Sequence, residues 1–187
     1  MTPEDLFRRI STLMEHADIA YMLTGSFASS VYGMNRGSAD IDFVIAADVA
    51  AIRRLLNQLP EKDFYSELNQ ALEACRRNSM FNVIDRFTGL KIDFIFLKSR
   101  DFSQEEFRRR KQAVVWGVPL YIATPEDIVL SKLDWAKLGK SSRQIEDAAG
   151  ILKVRADELD ISYIEKWVAE LGLTSEWSRA RQLADLE

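Results

Sequence analysis

The sequence has one cysteine and one histidine, Cys75 and His16, among its 187 residues. A single thiol excludes an intrachain disulfide and a zinc site built from cysteines. A single imidazole removes histidine-rich metal sites and most triads that need a histidine base. Any metal site in this chain must therefore use oxygen ligands.

Positive charge is also in short supply. The chain has 25 lysine and arginine residues against 29 acidic residues, so its formal net charge is -4. Non-specific nucleic-acid binding depends on clustered lysine and arginine side chains. The composition therefore argues against a general nucleic-acid coat, although a local RNA contact is compatible with it.

Long apolar runs are absent from the sequence. No stretch approaches the roughly 20 apolar residues that a membrane helix needs. Residues 2–5 have the character of an acidic helix start instead of a signal peptide. We therefore expect a cytoplasmic protein with no membrane partner.

Two aspartates, Asp40 and Asp42, stand one residue apart in an apolar stretch with strand character. Side chains at positions i and i+2 of a strand leave the same face, so both carboxylates point the same way. Two such charges about 4 Å apart repel by roughly 4 kcal/mol at an effective dielectric near 20, and a hard divalent cation relieves that cost. Asp93 interrupts a second apolar strand. If the strands are neighbours, the three carboxylates line one metal site, as two-ion phosphoryl and nucleotidyl transfer requires.

Asp85 is a fourth acid in a predicted strand. It lies beside Arg86 and close to the turn at Thr88-Gly89. This setting predicts an exposed carboxylate and not a metal ligand.

Gly25 and Ser26 follow a short apolar strand and begin a segment of helical length. Helix N-termini present free N–H groups to anions, and glycine lets the backbone approach them closely. Taken alone, the two residues favour a plain strand-to-helix turn, whereas the Asp40-Ile41-Asp42 run that follows them favours a phosphate-binding turn. Arg36 lies in the loop before Asp40, where its guanidinium suits a phosphate, a carboxylate or open solvent.

The order of these elements resembles the signature of the DNA polymerase β-like nucleotidyltransferase superfamily: Gly25-Ser26, then Asp40-Ile41-Asp42, then Asp93. Within it, the spacing of Gly33, Arg36 and Ser38 before the paired acids looks most like the branch of AbiEii-type and MenT-type toxins. The resemblance implies an α+β fold with a small mixed sheet flanked by helices and a helical C-terminal region.

The resemblance also implies a metal site and a nucleotide site. Asp40, Asp42 and Asp93 would bind two Mg²⁺ ions, or Mn²⁺ in their place. Gly25 and Ser26 would hold the phosphates of an NTP.

In the helical part of related proteins, a lysine and an aspartate serve the nucleotide. The matching positions here are Lys132 and Asp147. Glu146 precedes Asp147, whereas the toxins often have lysine before that aspartate, so the sequence departs from the toxin pattern at this point.

Apolar residues recur at helical spacing, which predicts helices over residues 3–17, 48–60, 66–78 and 103–112, and again from residue 124 onward. Residues 80–97 and 114–122 predict two hairpins, the second turning at Gly117-Val118-Pro119. We expect a catalytic domain over residues 1–123 and a helical C-terminal region over 124–187. Tryptophans in the last helices suit an oligomer contact.

These expectations predict an enzyme that moves an NMP from an NTP to an acceptor hydroxyl on a tRNA, a protein or a small molecule. A cognate antitoxin or a second copy of the chain is the predicted protein partner. A catalytically silent nucleotide-binding or interaction module of the same fold is the alternative. A purely structural helical protein is a third interpretation, but it leaves three strand aspartates unexplained.

Overall fold

The structure is a computed structural model that describes residues 2–33 and 40–186. In that part of the chain, residues 2–27 and 40–122 form one compact unit, and residues 28–33 and 123–186 form another. No helix within the described residues has both the length and the apolar character needed to cross a bilayer.

The described part of the first unit contains a seven-stranded sheet. Its strands are β1 Ala20–Thr24, β2 Asp40–Ala46, β3 Phe64–Ser66, β4 Met80–Asp85, β5 Lys91–Phe96, β6 Lys111–Val115 and β7 Val118–Ile122. Their order is β3-β4-β5-β2-β1-β7-β6. The β2–β5 and β1–β7 pairs are parallel and the other pairs are antiparallel. The sheet is therefore mixed, as predicted.

Helices flank this sheet. They are α1 Pro3–His16, α3 Val49–Asn57, α4 Leu68–Arg76 and α5 Asp101–Arg109, while α2 Gly25–Val31 directly follows β1 in the chain. Helix α1 packs against β1 and β7, and α4 packs against β4. Thr2 and Asp5 form a capping box at the start of α1, which satisfies backbone donors that the helix leaves open. Helix α2 begins in the first unit and ends in the second.

The core of the first unit contains a row of aromatic rings across three strands. Phe43, Phe94 and Phe81 are buried on β2, β5 and β4, with ring centroids 6.2 Å and 5.0 Å apart along the row. Phe7 of α1 meets Phe43 edge to face at 6.4 Å. Neighbouring residues in a strand point to opposite faces. With these rings in the core, the residues next to them in sequence therefore lie on the other face of the sheet.

The second unit is helical. Its elements after α2 are α6 Pro125–Gly139, α7 Ser142–Arg155, a 3₁₀ turn Ala156–Glu158, α8 Ile161–Leu171 and α9 Thr174–Leu183. Thr124 caps α6 by accepting a hydrogen bond from the Asp127 N–H, and proline occupies the first turn, as predicted. The helices pack around a core of buried apolar side chains that includes Leu133, Ile145, Leu152, Ile164, Trp167 and Ala180.

Tyr32, just after α2, is anchored inside the second unit. Its hydroxyl donates to the carbonyl of Ala123 at 2.9 Å, and the guanidinium of Arg155 lies 5.1 Å from its ring centroid. Burial raises the pKa of Tyr32 to about 12. The chain leaving α2 is thus held by both a hydrogen bond and a cation–π contact.

One strand was missed, and one turn was predicted at the wrong residues. The short strand β3 was not predicted, because three residues are too few for an alternating pattern to stand out. The β6–β7 hairpin turns at Trp116 and Gly117, both with positive φ, and not at Gly117-Val118-Pro119. Pro119 instead lies in β7 opposite Val114, since Val115 and Val118 already pair.

The predicted exposure of Asp85 was also wrong, because this residue is 0% exposed. Asp85 ends β4 on the face that carries Phe81 and Val83, which is the core face. Its Oδ2 accepts hydrogen bonds from the backbone N–H and the hydroxyl of Thr88. The carboxylate therefore closes a turn, an arrangement available to aspartate within a few residues of a strand end.

Candidate functional site

Strand register brings the three predicted acids to one face of the sheet. Asp42 on β2 is the direct neighbour of Asp93 on β5, and Asp40 is the direct neighbour of Lys91. Directly paired residues on neighbouring strands share a face, so all four side chains leave the same side. The predicted adjacency of the two acid-bearing strands is confirmed.

The acids belong to a polar row across four strands. Thr24 of β1 is paired with Asp42, and Asn82 of β4 is paired with Asp93. Asp93 is buried, Thr24 and Asp42 are half-buried, and Asn82 is exposed. Thr24 and Asn82 were not predicted, because single polar residues in strands carry no signal until their cross-strand neighbours are known.

Gly25 lies directly against the Asp42 carboxylate. It follows the last residue of β1 and starts α2 with a φ of +68°. A Cβ built at this position would lie 2.0 Å from Oδ2 of Asp42 and 2.7 Å from its Cγ. Only glycine therefore fits between the strand-to-helix turn and the acid without a shift of one of them.

Lys91 is a site residue that sequence reasoning missed. Its ammonium donates to Oδ2 of Asp93 at 2.9 Å and lies 3.4 Å from Oδ1 of Asp40. The hydrogen bond to Asp93, with the charges of Asp93 and Asp40, raises the pKa of Lys91. Its spacing from Asp93 repeats that of Asp40 and Asp42, which was the available signal.

The electrostatics of this face suit a divalent cation. Three carboxylates and one ammonium leave a formal excess of two negative charges. Oδ1 of Asp93 is buried and has no hydrogen-bond partner in the described part of the chain. Carboxylate oxygens are the ligands that Mg²⁺ and Mn²⁺ prefer. The residues therefore fit such an ion, although residues 2–33 and 40–186 contain no ready-made group of three His, Cys, Asp or Glu ligands.

Lys132 and Asp147, the two positions implied by resemblance, contact each other in the second unit. Nζ of Lys132 donates to Oδ2 of Asp147 at 2.8 Å, and both side chains are buried. A buried ion pair is held in one geometry because separating the charges is costly. The structure thus joins α6 and α7 through these residues, and their predicted role toward a nucleotide stays a prediction.

Of the two other residues predicted to contact phosphate, the structure describes one. Ser26 is the second residue of α2 and is half-buried. Arg36 lies outside the described residues. Their predicted contacts with phosphate stay predictions.

Neither a protein-family model nor a curated protein sequence matches this chain. Solved structures do match it. An antigenic nucleotidyltransferase-like protein from Paracoccidioides brasiliensis shares 16% identity with a TM-score of 0.53, over 97% of this chain and 94% of its own.

Two further solved structures have the same architecture. The lincosamide antibiotic adenylyltransferase LnuA, in its lincomycin-bound form, shares 14% identity with a TM-score of 0.54, over 82% of this chain and 98% of its own. The antibiotic-resistance factor ANT(2'')-Ia shares 13% identity with a TM-score of 0.55, over 95% of this chain and 94% of its own. The mixed sheet with flanking helices is therefore the fold found in nucleotidyltransferases.

Proposed function

We propose that this chain is a metal-dependent nucleotidyltransferase, which transfers an NMP from an NTP to an acceptor hydroxyl and releases pyrophosphate. The observation that carries the proposal is the grouping of Asp40, Asp42 and Asp93 on one face of adjacent strands, with Gly25 against Asp42. Carboxylates are otherwise costly inside apolar strands. Their concentration at one point favours a catalytic over a structural role.

Asp40, Asp42 and Asp93 would hold two Mg²⁺ ions, or Mn²⁺ ions. When bound, such ions neutralise charge at the transferring phosphorus and lower the pKa of the acceptor hydroxyl. The excess negative charge of the site supports this assignment, as does Oδ1 of Asp93, which has no hydrogen-bond partner among residues 2–33 and 40–186.

The chain's own residues then position the reactants. Gly25 and Ser26 begin α2 beside Asp42, where their backbone would hold the triphosphate. Asp93 would complete the site and assist deprotonation of the acceptor hydroxyl by accepting its proton. The acceptor oxygen bonds to the α-phosphorus as the bond to the bridging oxygen breaks, and pyrophosphate leaves with that oxygen. No histidine takes part, and His16 is exposed at the end of α1.

The remaining predicted residues belong to nucleotide binding. Lys132, Asp147 and Arg36 would contact the nucleotide, with Lys132 held in orientation by its ion pair with Asp147. Residues 1–123 would act as the catalytic domain, and residues 124–187 as a helical C-terminal region.

Two lines of reasoning favour different classes of acceptor. The acidic net charge, together with neighbours that include an adenylyltransferase of lincosamide antibiotics, favours a small-molecule hydroxyl. The resemblance to the AbiEii and MenT branch favours a tRNA or a protein, with toxin activity and a cognate antitoxin. Pyrophosphate release in the presence of each acceptor class distinguishes them.

A thermal-shift titration tests the nucleotide site. Wild type and Asp40→Asn are titrated with each of the four NTPs, with and without Mg²⁺, and Asp157→Asn on an exposed turn serves as the charge-matched control. Ligand at 100 times its Kd stabilises by about 2.7 kcal/mol. A Mg²⁺-dependent shift in wild type and control, absent from Asp40→Asn, is the expected result.

The same titration separates the enzyme from its alternative. An NTP-dependent shift without pyrophosphate release for any acceptor class would identify a catalytically silent nucleotide-binding module. The absence of a shift with all four NTPs would contradict both forms of the nucleotide site.

A further inference from the structure

Lys91 lies among the three carboxylates, yet it has no role in the proposed reaction. Its ammonium hydrogen-bonds Oδ2 of Asp93 and lies 3.4 Å from Oδ1 of Asp40. It therefore already contacts two of the three groups that would bind a divalent cation.

We propose that Lys91 is an internal counter-cation that competes with the divalent metal for Asp93 and Asp40, so that metal binds tightly only together with the nucleotide. This inference rests on the proposed function, because it concerns the same carboxylates. It adds a residue that controls the order in which metal and nucleotide bind.

The burial of Asp93 makes a counter-charge necessary. Asp93 is only 5% exposed, and within the described residues its Oδ1 has no partner. A carboxylate removed from water is strongly destabilised unless another charge compensates it. The Lys91 ammonium on Oδ2 supplies that charge.

The same position makes Lys91 an obstacle to a metal ion. A divalent cation bound to Asp93 would lie within a few ångströms of the ammonium, and the two positive charges would repel each other. Either Lys91 leaves or the metal binds weakly beside it. Affinity for the metal alone is therefore lower than the carboxylates by themselves would provide.

The position of Lys91 allows its ammonium to move away from the carboxylates. It is the first residue of β5, its side chain is 36% exposed, and Asp40 beside it is 51% exposed. Its flexible four-carbon stem lets the ammonium swing toward solvent without opening the core. A bound triphosphate offers that ammonium new negative charge, so the nucleotide relieves the competition and couples its own binding to that of the metal.

Mn²⁺ binding measured by calorimetry tests this competition without any turnover. Lys91→Met removes the charge, Lys91→Arg keeps it, and Lys111→Met removes the same charge from an exposed position at the start of β6. Without nucleotide, Lys91→Met should bind Mn²⁺ about tenfold more tightly than wild type, whereas Lys91→Arg and Lys111→Met should match wild type. With a non-hydrolysable NTP present, the advantage of Lys91→Met should shrink to about threefold or less.

Each other outcome overturns the inference. Equal Mn²⁺ affinity in Lys91→Met and Lys111→Met excludes competition, and weaker binding in Lys91→Met would make Lys91 a support of the site. No Mn²⁺ binding in any of these proteins overturns both the metal site and the competition. If Lys91→Met does not fold, Lys91→Gln replaces it, because glutamine keeps a donor for Asp93 without the charge.

Failure of the proposed function has a different signature. Tighter Mn²⁺ binding in Lys91→Met with no NTP turnover in wild type would leave the competition standing and remove the reaction. NTP turnover with unchanged Mn²⁺ affinity would remove only the competition.

Discussion

Gly25 and Asp42 are in such close contact that a Cβ on Gly25 would lie 2.0 Å from Oδ2 of Asp42. The glycine comes from a strand-to-helix turn and the acid from the neighbouring strand, where Asp42 pairs with Thr24. The turn and the carboxylate are therefore packed directly together. A larger residue at position 25 must displace either the turn or the Asp42 side chain.

Gly25→Ala should destabilise the fold by about 2–4 kcal/mol, which combines a strained positive φ with the steric conflict at Asp42. Gly89→Ala is the matched control, because Gly89 also has a positive φ of 74° but a Cβ there meets nothing within 4 Å. That variant should lose only about 1 kcal/mol. Urea unfolding measures both values.

Adding Asp42→Ala to Gly25→Ala should recover part of the lost stability, since it removes the carboxylate atoms in conflict. Equal losses in Gly25→Ala and Gly89→Ala would show that the contact with Asp42 does not constrain residue 25.

Asp42→Asn should abolish metal-dependent NTP turnover and leave the free energy of unfolding equal to wild type or about 1 kcal/mol higher. Removing one charge from a group of carboxylates relieves repulsion, and the neighbouring Asp93 lies directly across the strand pair. Pyrophosphate release and urea unfolding are measured on the same preparations. An unfolded or strongly destabilised Asp42→Asn would identify Asp42 as a structural residue.

The Lys132–Asp147 ion pair should stabilise the second unit independently of any nucleotide. Lys132→Met leaves the Asp147 carboxylate buried without its ammonium partner, so we expect a loss of about 3–5 kcal/mol. Combining it with Asp147→Asn should restore much of that loss. A double-mutant cycle from urea unfolding gives the coupling energy, and a coupling near zero would contradict a stabilising pair.

Alkaline pH should weaken the fold through Tyr21. Burial, with a smaller effect from Glu15, raises the pKa of this phenol from 10.0 to about 12. Below the unfolded value the phenol is protonated in both states, so stability is complete there. As the pH rises toward 12 the unfolded chain ionises first, and the free energy of unfolding falls by about 1.4 kcal/mol per pH unit.

Urea unfolding at rising pH checks this loss, which Tyr21→Phe should reduce. The same alkaline loss in wild type and Tyr21→Phe would exclude Tyr21 as its source. Tyr32, whose pKa is also raised to about 12, contributes in the same direction.

Much of the fold could be predicted because its signals are local. Apolar strands interrupted by Asp42 and Asp93 indicated β2 and β5, and Thr124 before a proline indicated the start of α6. Such patterns depend on residues a few positions apart, whose preferences for strand, turn or helix act within one element.

Asp85 illustrates why other features could not be predicted. Its neighbours in sequence suggested an exposed end of a hairpin, but the face of β4 on which it lies is set by pairing with β5. A shift of one residue in that register would have moved the carboxylate to the other face. Lys91 was also missed: its spacing from Asp93 was visible in the sequence, but only the register brings it beside Asp40.

The sequence by itself determined the types of chemistry available to this protein. One cysteine and one histidine left oxygen as the metal ligand, and the i, i+2 spacing of Asp40 and Asp42 set their common face. Tertiary structure alone decided that Asp93 stands beside Asp42, that Gly25 lies against that carboxylate and that the Lys91 ammonium lies 3.4 Å from Oδ1 of Asp40. These contacts join residues far apart in the chain, and their geometry follows from strand pairing and core packing, which no local pattern encodes.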